Sequence, residues 1–262
     1  EIQQKEPMVH CMTHAITMND SANAILAVGA SPIMASHPDE VEDIVAHADS
    51  LVVNLGNCTE ERLCAMKKAS QKAHSLHIPI LIDVVGIGVS TLRLDFAKEI
   101  IETCHPGIIK GNSSEIRRLL GMPCHAKGVD ASREDYVSLE KAHAVSTFFQ
   151  QQAARLHSVL VVTGPVDIIS SGTETYGIRN GTPAMGHITG TGCMVGAIIG
   201  AYHGAGSSMD AALMGTIHMG LAGEEAAKNS NGYGTFHVHL LDAIGNMTKE
   251  KIVKQMDVLI EP

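Results

Sequence analysis

Three apolar runs in this 262-residue chain, 78–83, 108–110 and 158–163, stop at Asp83, Lys110 and Thr163. Each run reads as a β-strand, and in an open parallel sheet the ligand crevice lies at the carboxyl edge of the strands. One charge or hydroxyl per strand end is more than sheet packing requires. A fourth feature, Thr189-Gly190-Thr191-Gly192-Cys193, runs directly into an apolar helical pattern over 194–199. Gly190 and Gly192 let the backbone turn tightly and approach a ligand. The first N–H groups of a helix have no intrahelical partners, and with the positive end of the helix dipole they make an anion hole. A carboxylate, a cation, a hydroxyl and an anion hole on one edge suit phosphoryl transfer, which is mostly positioning and charge stabilisation. Each piece also has a plain structural reading. The glycine turn can be a simple helix cap, Asp83 and Glu115 can cap helices, and Lys110 can be a solvated strand end.

Two other nucleotide motifs fail. No Gly-Lys-Ser/Thr occurs, so a Walker-type P-loop is excluded. Gly86-Ile-Gly88 is followed by Thr91 where a dinucleotide fingerprint needs its third glycine. The chain has 15 histidines, and His237-Val-His239 has ligand character, but no carboxylate or cysteine cluster completes a metal site.

An α/β scaffold must position these residues. Short apolar runs alternate with helical patterns, the signature of βα units and a mostly parallel sheet. Strands are predicted at 8–12, 51–54, 78–83, 108–110 and 158–163, with a hairpin at 167–170 and 174–179. Helices are predicted from the caps Asn19-Asp20-Ser21 to Gly29, over 38–47, and from Thr59 to 76. Further helices run from Ser113 or Ser114 to 120, up to 157 after an irregular stretch 121–133, and over 193–205, 209–228 and 236–247. Hydrophobic residues make up 45%, charged residues 18% and aromatics 3% with no Trp, so aliphatic side chains and Met must fill the core. No repeat or linker interrupts the chain, and one domain over 1–262 is the simplest organisation. A net charge of -9 argues against nucleic-acid and anionic-membrane partners. No apolar run approaches a membrane span, and no signal peptide is visible. Six scattered cysteines without a C-x-x-C pair fit a reduced, cytoplasmic protein.

Several segments, in order, carry a family resemblance. They are Pro7-Met-Val-His-Cys-Met-Thr13, Asn19-Asp20-Ser-Ala-Asn23, Gly29-Ala-Ser-Pro-Ile-Met34, Asn54-Leu-Gly56, Thr59-Glu-Glu-Arg62, Asp83-Val-Val-Gly-Ile-Gly88, Lys110-Gly-Asn-Ser-Ser-Glu115, Gly128-Val-Asp130, Val162-Thr-Gly164 and Gly190-Thr-Gly-Cys193, with 232–242 as a closing segment. The set resembles the hydroxyethylthiazole kinases over nearly the whole chain. The resemblance implies a ribokinase-like α/β fold, with helices on both faces of a mostly parallel sheet and no separate lid domain. It implies transfer of the γ-phosphate of ATP, with Mg2+, to the hydroxyl of 4-methyl-5-(2-hydroxyethyl)thiazole in thiamine salvage. It also implies a homotrimer with interfacial active sites. In that scheme Gly190 and Cys193 lie at the substrate hydroxyl, and Met34 of a neighbouring subunit covers the thiazole. Lys110 and Thr163 contact ATP, and Asp83 and Glu115 lie near Mg2+ and the phosphates.

Elementary chemistry is compatible with these roles. Mg2+ takes oxygen ligands and keeps several waters. Lys110 supplies positive charge for a polyphosphate, and Met34 offers a polarizable thioether to a heterocycle. Where related kinases of the fold carry Asp, this chain has Cys193. Its place at a helix N-terminus allows a thiolate, although triphosphate charge nearby disfavours one. The sequence departs from the family at His14, where Asn is common and a hydrogen bond to the thiazole is expected. Protonation of His14 near its usual value would remove the acceptor. Lys110 stands where Arg is usual, and Asp83-Val84 replaces Asp-Pro. The rival readings are a hydroxymethylpyrimidine-type kinase of the same fold, against which Met34 and Cys193 argue, and a non-catalytic thiazole- or thiamine-binding protein.

Overall fold

The computed structural model describes residues 2–122 and 142–261. Gly128-Val-Asp130, Cys124 and most of the stretch 121–133 lie outside the described residues. In chain order the elements are α1 Ile2–Lys5, β1 Met8–Met12, α2 Met18–Ala27, β2 Ser31–Ile33, α3 Val41–Val45, β3 Ser50–Asn54, α4 Glu60–Ser75, β4 Ile80–Asp83, α5 Thr91–Cys104, β5 Ile108–Asn112 and α6 Ser113–Leu119. Then come α7 Ala142–Leu156, β6 Val159–Thr163, β7 Asp167–Ser170, β8 Thr175–Ile178, a 3-10 turn Pro183–His187, α8 Thr191–His203, α9 Ser208–Lys228, α10 Tyr233–Gly245, α11 Lys249–Gln255 and β9 Val258–Glu261.

The nine strands form one sheet in the order β2-β1-β3-β4-β5-β6-β7-β8-β9. The pairs from β2 through β6 are parallel, and those from β6 through β9 are antiparallel. Parallel strands joined by crossover helices are covered on both faces, which is why β3 is buried at every position. On one face Val9, Cys11, Val52, Leu81, Ile108 and Val161 meet α2, α8 and α9. On the other, Leu51, Val53, Ile82, Ile109 and Leu160 join a core with Ala65 and Met66 of α4, Phe96 of α5 and Phe149 of α7. Each fully buried aliphatic side chain of this kind contributes ~1.5–3 kcal/mol of transfer free energy.

The predicted strands are all present, with shifts that have local causes. β4 begins at Ile80 because Pro79 has no N–H for the ladder. The helix expected over 38–47 shrinks to α3, since His37 to Glu40 form a turn in which the His37 carbonyl accepts from both Glu40 and Val41. α2 starts at Met18, before the expected Asn-Asp-Ser caps, and Thr17 occupies its N-cap position without a capping bond. The Thr17 hydroxyl instead faces Thr13 and His14. Strands β2 and β9, and helices α1, α5 and α11, are additions. β2 and β9 are the two edge strands, and β2 is only three residues long with Pro32 at its centre. No residue of β2 is buried, so no alternating buried face sets it. Among the described residues, no helix is long and apolar enough to cross a membrane.

Candidate active site

Register alone assembles the first part of the site. Asn54 at the end of β3 is the cross-strand partner of Asp83 at the end of β4, and Asp83 is the partner of Lys110 in β5. Neighbouring strands lie ~4.8 Å apart, so the three side chains form a row on one face. That face is the one covered by α8. A Cβ on Gly196 of α8 would meet Asp83 Oδ2 at 3.3 Å and Lys110 Cδ at 3.7 Å, so the helix lies directly on the row.

Lys110 Nζ donates to Asp83 Oδ2 at 3.0 Å, with the side chains only 4% and 3% exposed. Burial works to push the Lys110 pKa down, but the Asp83 carboxylate beside it leads the opposing charges and the net direction is up. Lys110 therefore stays an ammonium beside a carboxylate. Asn54 Nδ2 donates to the same Asp83 oxygen at 3.1 Å and to Cys193 Sγ at 3.3 Å, while Asn54 Oδ1 accepts from Gly56 N at 2.9 Å.

Glu115 ties the next two strand ends together. Its Oε1 accepts from Gly86 N at 2.7 Å, in the loop after β4, and its Oε2 accepts from Asn112 N at 2.8 Å, at the end of β5. Asn112 Oδ1 accepts in return from Glu115 N at 2.9 Å, completing a capping box at the start of α6. Burial pushes the Glu115 carboxyl up to about 7. Both carboxylate oxygens are engaged with backbone, so Glu115 braces the loops that carry Asp83 and Lys110. Thr163, paired with Asn112, faces Gly111 O at 3.5 Å. Beside it Gly164 N donates to Asp167 Oδ1 at 2.8 Å.

The glycine turn ends against this row. Gly190 is the N-cap of α8 in the left-handed region, at φ 91°, and no side chain caps the helix. Its first-turn N–H groups are thus available to an anion. Cys193 lies in that first turn, with Asn54 on one side and His14 Nε2 at 3.7 Å on the other. Burial pushes the Cys193 pKa up and Asp83 adds to it, with Lys110 offsetting part. Burial and Asp83 thus disfavour the thiolate that a helix N-terminus allows, and favour the neutral thiol. For His14, burial and Arg62 push the pKa below 6.5, so any pH effect of this ring begins lower than its ordinary value suggests.

Cys193, His14, Asp83 and Lys110 are thus brought together with Asn54, while Gly190, Glu115 and Thr163 flank them. Met34 stands apart. It follows the edge strand β2, which β1 separates from β3, so it is ~10 Å from β3 at two strand spacings. It rests partly buried against the core. Asn54, Thr17 and Asn112 were not singled out as site residues in the sequence. Asn54 obeys the strand-end rule that marked Asp83, whereas Thr17 carries no signal because its hydroxyl reads as an ordinary helix cap.

Sheet order, helices on both faces and a glycine turn at a helix N-terminus define a ribokinase-like protein. A ribokinase-like superfamily protein from Enterococcus faecalis V583 has the same fold, with a TM-score of 0.66 at 15% identity over 92% of this chain and 88% of that one. The match narrows with the model of the hydroxyethylthiazole kinase family, which covers residues 1–250. Hydroxyethylthiazole kinase 1 of Methanosphaera stadtmanae is 40% identical over 97% of this chain and 93% of its own length. Hydroxyethylthiazole kinase 2 of Clostridium botulinum strain 657 is 40% identical over 98% and 97%. The structure of the hydroxyethylthiazole kinase protein from Pyrococcus horikoshii OT3 superposes with a TM-score of 0.89 at 31% identity, covering 100% of this chain and 96% of that one. The chain belongs to the hydroxyethylthiazole kinase family.

Proposed function

We propose that this chain transfers the γ-phosphate of ATP to the primary hydroxyl of 4-methyl-5-(2-hydroxyethyl)thiazole, as a single domain over 1–262 acting in the cytoplasm. The observation that carries this reading is the buried row Asn54–Asp83–Lys110 ending against Cys193 in the uncapped first turn of α8. A fixed ammonium and a helix N-terminus converge where a phosphoryl group in flight needs positive charge. In this scheme Lys110 and Thr163 face the nucleotide. Gly190 and Cys193 face the alcohol, Met34 lines the place of the heterocycle, and His14 stands beside Cys193.

The donor set suits Mg2+. Asp83 spends only Oδ2 on Lys110 and Asn54, leaving Oδ1 to a hard cation. No group of three or more His, Cys, Asp or Glu that could hold a metal occurs among the described residues, which fits an ion held largely by phosphate oxygens and water. Asp83 would hold it, with Glu115 bracing the loops around it. The ion would neutralise charge on the phosphate oxygens. The substrate test is ATP-dependent turnover of the thiazole alcohol against the hydroxymethylpyrimidine alcohol. The thiazole alcohol is expected to react much faster; the reverse order assigns the wrong substrate.

The active assembly is a homotrimer whose sites each take Met34 from a neighbour. Support comes from the distance of Met34 from β3 within one chain and from apolar side chains exposed in and just before α2, the helix that packs on β2: Ile16 at 60% exposure and Leu26 at 57%. Co-expressed Met34→Arg and Cys193→Ala chains, isolated as mixed trimers through two tags, are expected to exceed the average of the parents. About a quarter of the interfaces would then keep both native residues. Mixed trimers no better than that average contradict the shared site.

A further inference from the structure

The polar row at the strand ends continues past Cys193 to an imidazole. His14 Nε2 lies 3.7 Å from Cys193 Sγ and 3.3 Å from Thr17 Oγ1. The ring is held in place. A Cβ on Gly56 would stand 2.1 Å from its Cδ2 and 2.6 Å from its Nε2, so only glycine at 56 admits the imidazole. Gly56 is itself fixed by Asn54, the residue that donates to the Cys193 sulfur. His14 Nδ1 is buried and meets no protein partner. The two nitrogens are therefore distinguished only by what reaches Nε2. The Thr17 hydroxyl has other acceptors for its proton, Thr13 Oγ1 at 3.0 Å and the His14 carbonyl at 3.5 Å. Asn54 approaches the Cys193 sulfur as a donor, so the thiol proton is left to His14 Nε2 or to the Thr17 hydroxyl, and of these two only the imidazole is a base.

Resting on the kinase reading above, we infer that His14 is the final acceptor of the proton leaving the substrate hydroxyl, with the Cys193 sulfur as the relay between them. As the substrate oxygen bonds to the γ-phosphorus, the bond from phosphorus to the bridging oxygen breaks and ADP leaves with its electron pair. The hydroxyl proton moves to sulfur while the thiol proton moves to His14 Nε2. Sulfur ends as a thiol and the ring as an imidazolium, so no charge or atom is lost. A neutral thiol has no other way to act in proton removal, and a neutral thiol is what burial and Asp83 enforce at Cys193. The ring is prepared for its part: burial, Arg62 of α4 and Arg93 of α5 keep it neutral at ordinary pH, against the opposing pull of Asp83 of β4. His14 acts through another residue and is a positioning and proton-accepting group, distinct from a ligand of the heterocycle.

The test is single-turnover and steady-state kinetics on the native enzyme and on His14→Asn from about pH 5 to about pH 9. The native kcat should fall on the acid side with a midpoint below 6.5, the ordinary value for His14. His14→Asn should lose that limb and drop kcat by about 100-fold, with KM for the thiazole alcohol little changed. Adding Cys193→Ala to His14→Asn should cost little more, because the two act as one unit. In mixtures of light and heavy water, the native single-turnover rate should curve with deuterium content, since two protons move together. That measurement needs no variant to fold. An acid limb that survives in His14→Asn, a loss confined to KM, or a linear response to deuterium overturns the relay while leaving the kinase reading intact. A native enzyme that phosphorylates no alcohol overturns both.

Discussion

Asp83→Ala is expected to abolish detectable phosphoryl transfer and to lower folding stability by ~3–5 kcal/mol, the usual cost of breaking a buried ion pair from one side. The substitution strands the Lys110 ammonium at 4% side-chain exposure without its carboxylate. It also removes the acceptor that orients Asn54, and through Asn54 the Cys193 thiol. The two losses can be separated. In Asp83→Leu with Lys110→Met the pair is exchanged for apolar side chains, which is often neutral or stabilising. The double variant should therefore regain most of the urea-unfolding midpoint lost by Asp83→Ala while remaining inactive. Asp83→Asn should fall between the two in stability. An Asp83→Ala protein as stable as the native chain contradicts the buried row.

The second large effect is expected at the glycine turn. Gly190 has φ 91°, and a Cβ there would stand 2.6 Å from Thr17 Cγ2. Gly190→Ala must shift the turn or push Thr17 out of the cluster with Thr13 and His14. The left-handed conformation alone costs ~1–2 kcal/mol for a side chain. Losing the aim of the helix N–H groups should reduce kcat by about 100- to 1,000-fold, as for removal of an oxyanion-hole donor. Gly192 is the control. A Cβ there meets nothing within 4 Å, so Gly192→Ala should keep the native melting temperature. Its methyl would project into open space beside Cys193, and a raised KM for ATP is the expected consequence. If Gly190→Ala melts and turns over like the native chain, the turn does not shape the anion site.

Much of this was legible in the sequence because it depends on chain direction and periodicity. Parallel strands place all their carboxyl ends on one edge, so Asp83, Lys110 and Thr163 could be grouped before any geometry was known. The glycine turn was legible for the same reason, since its chemistry lies in backbone N–H groups. Register was not legible. That Asn54, Asp83 and Lys110 share one row depends on how three strands slide past each other, and turn geometry and packing settle that. The Glu115 brace between Gly86 and Asn112 joins loops 29 and 3 residues away, and no local pattern announces the longer bond. The protonation state of Cys193 was left open in the sequence for a related reason. A helix N-terminus lowers a thiol pKa, but burial and the Asp83 carboxylate, 110 positions away in the chain, act the other way and win. The edge strand β2 was missed because its three residues lack the alternating buried face from which strands are read.

The strand-end row and the turn of α8 are expected to pass a phosphoryl group directly from ATP to the thiazole alcohol. A single turnover of the native enzyme with ATP labelled in its γ-phosphate tests this most directly. Label should leave ATP and appear in the phosphate ester of 4-methyl-5-(2-hydroxyethyl)thiazole at the same rate, with none on the protein at any time. Label trapped on Cys193, or label that remains in ATP while the alcohol is present, contradicts the account.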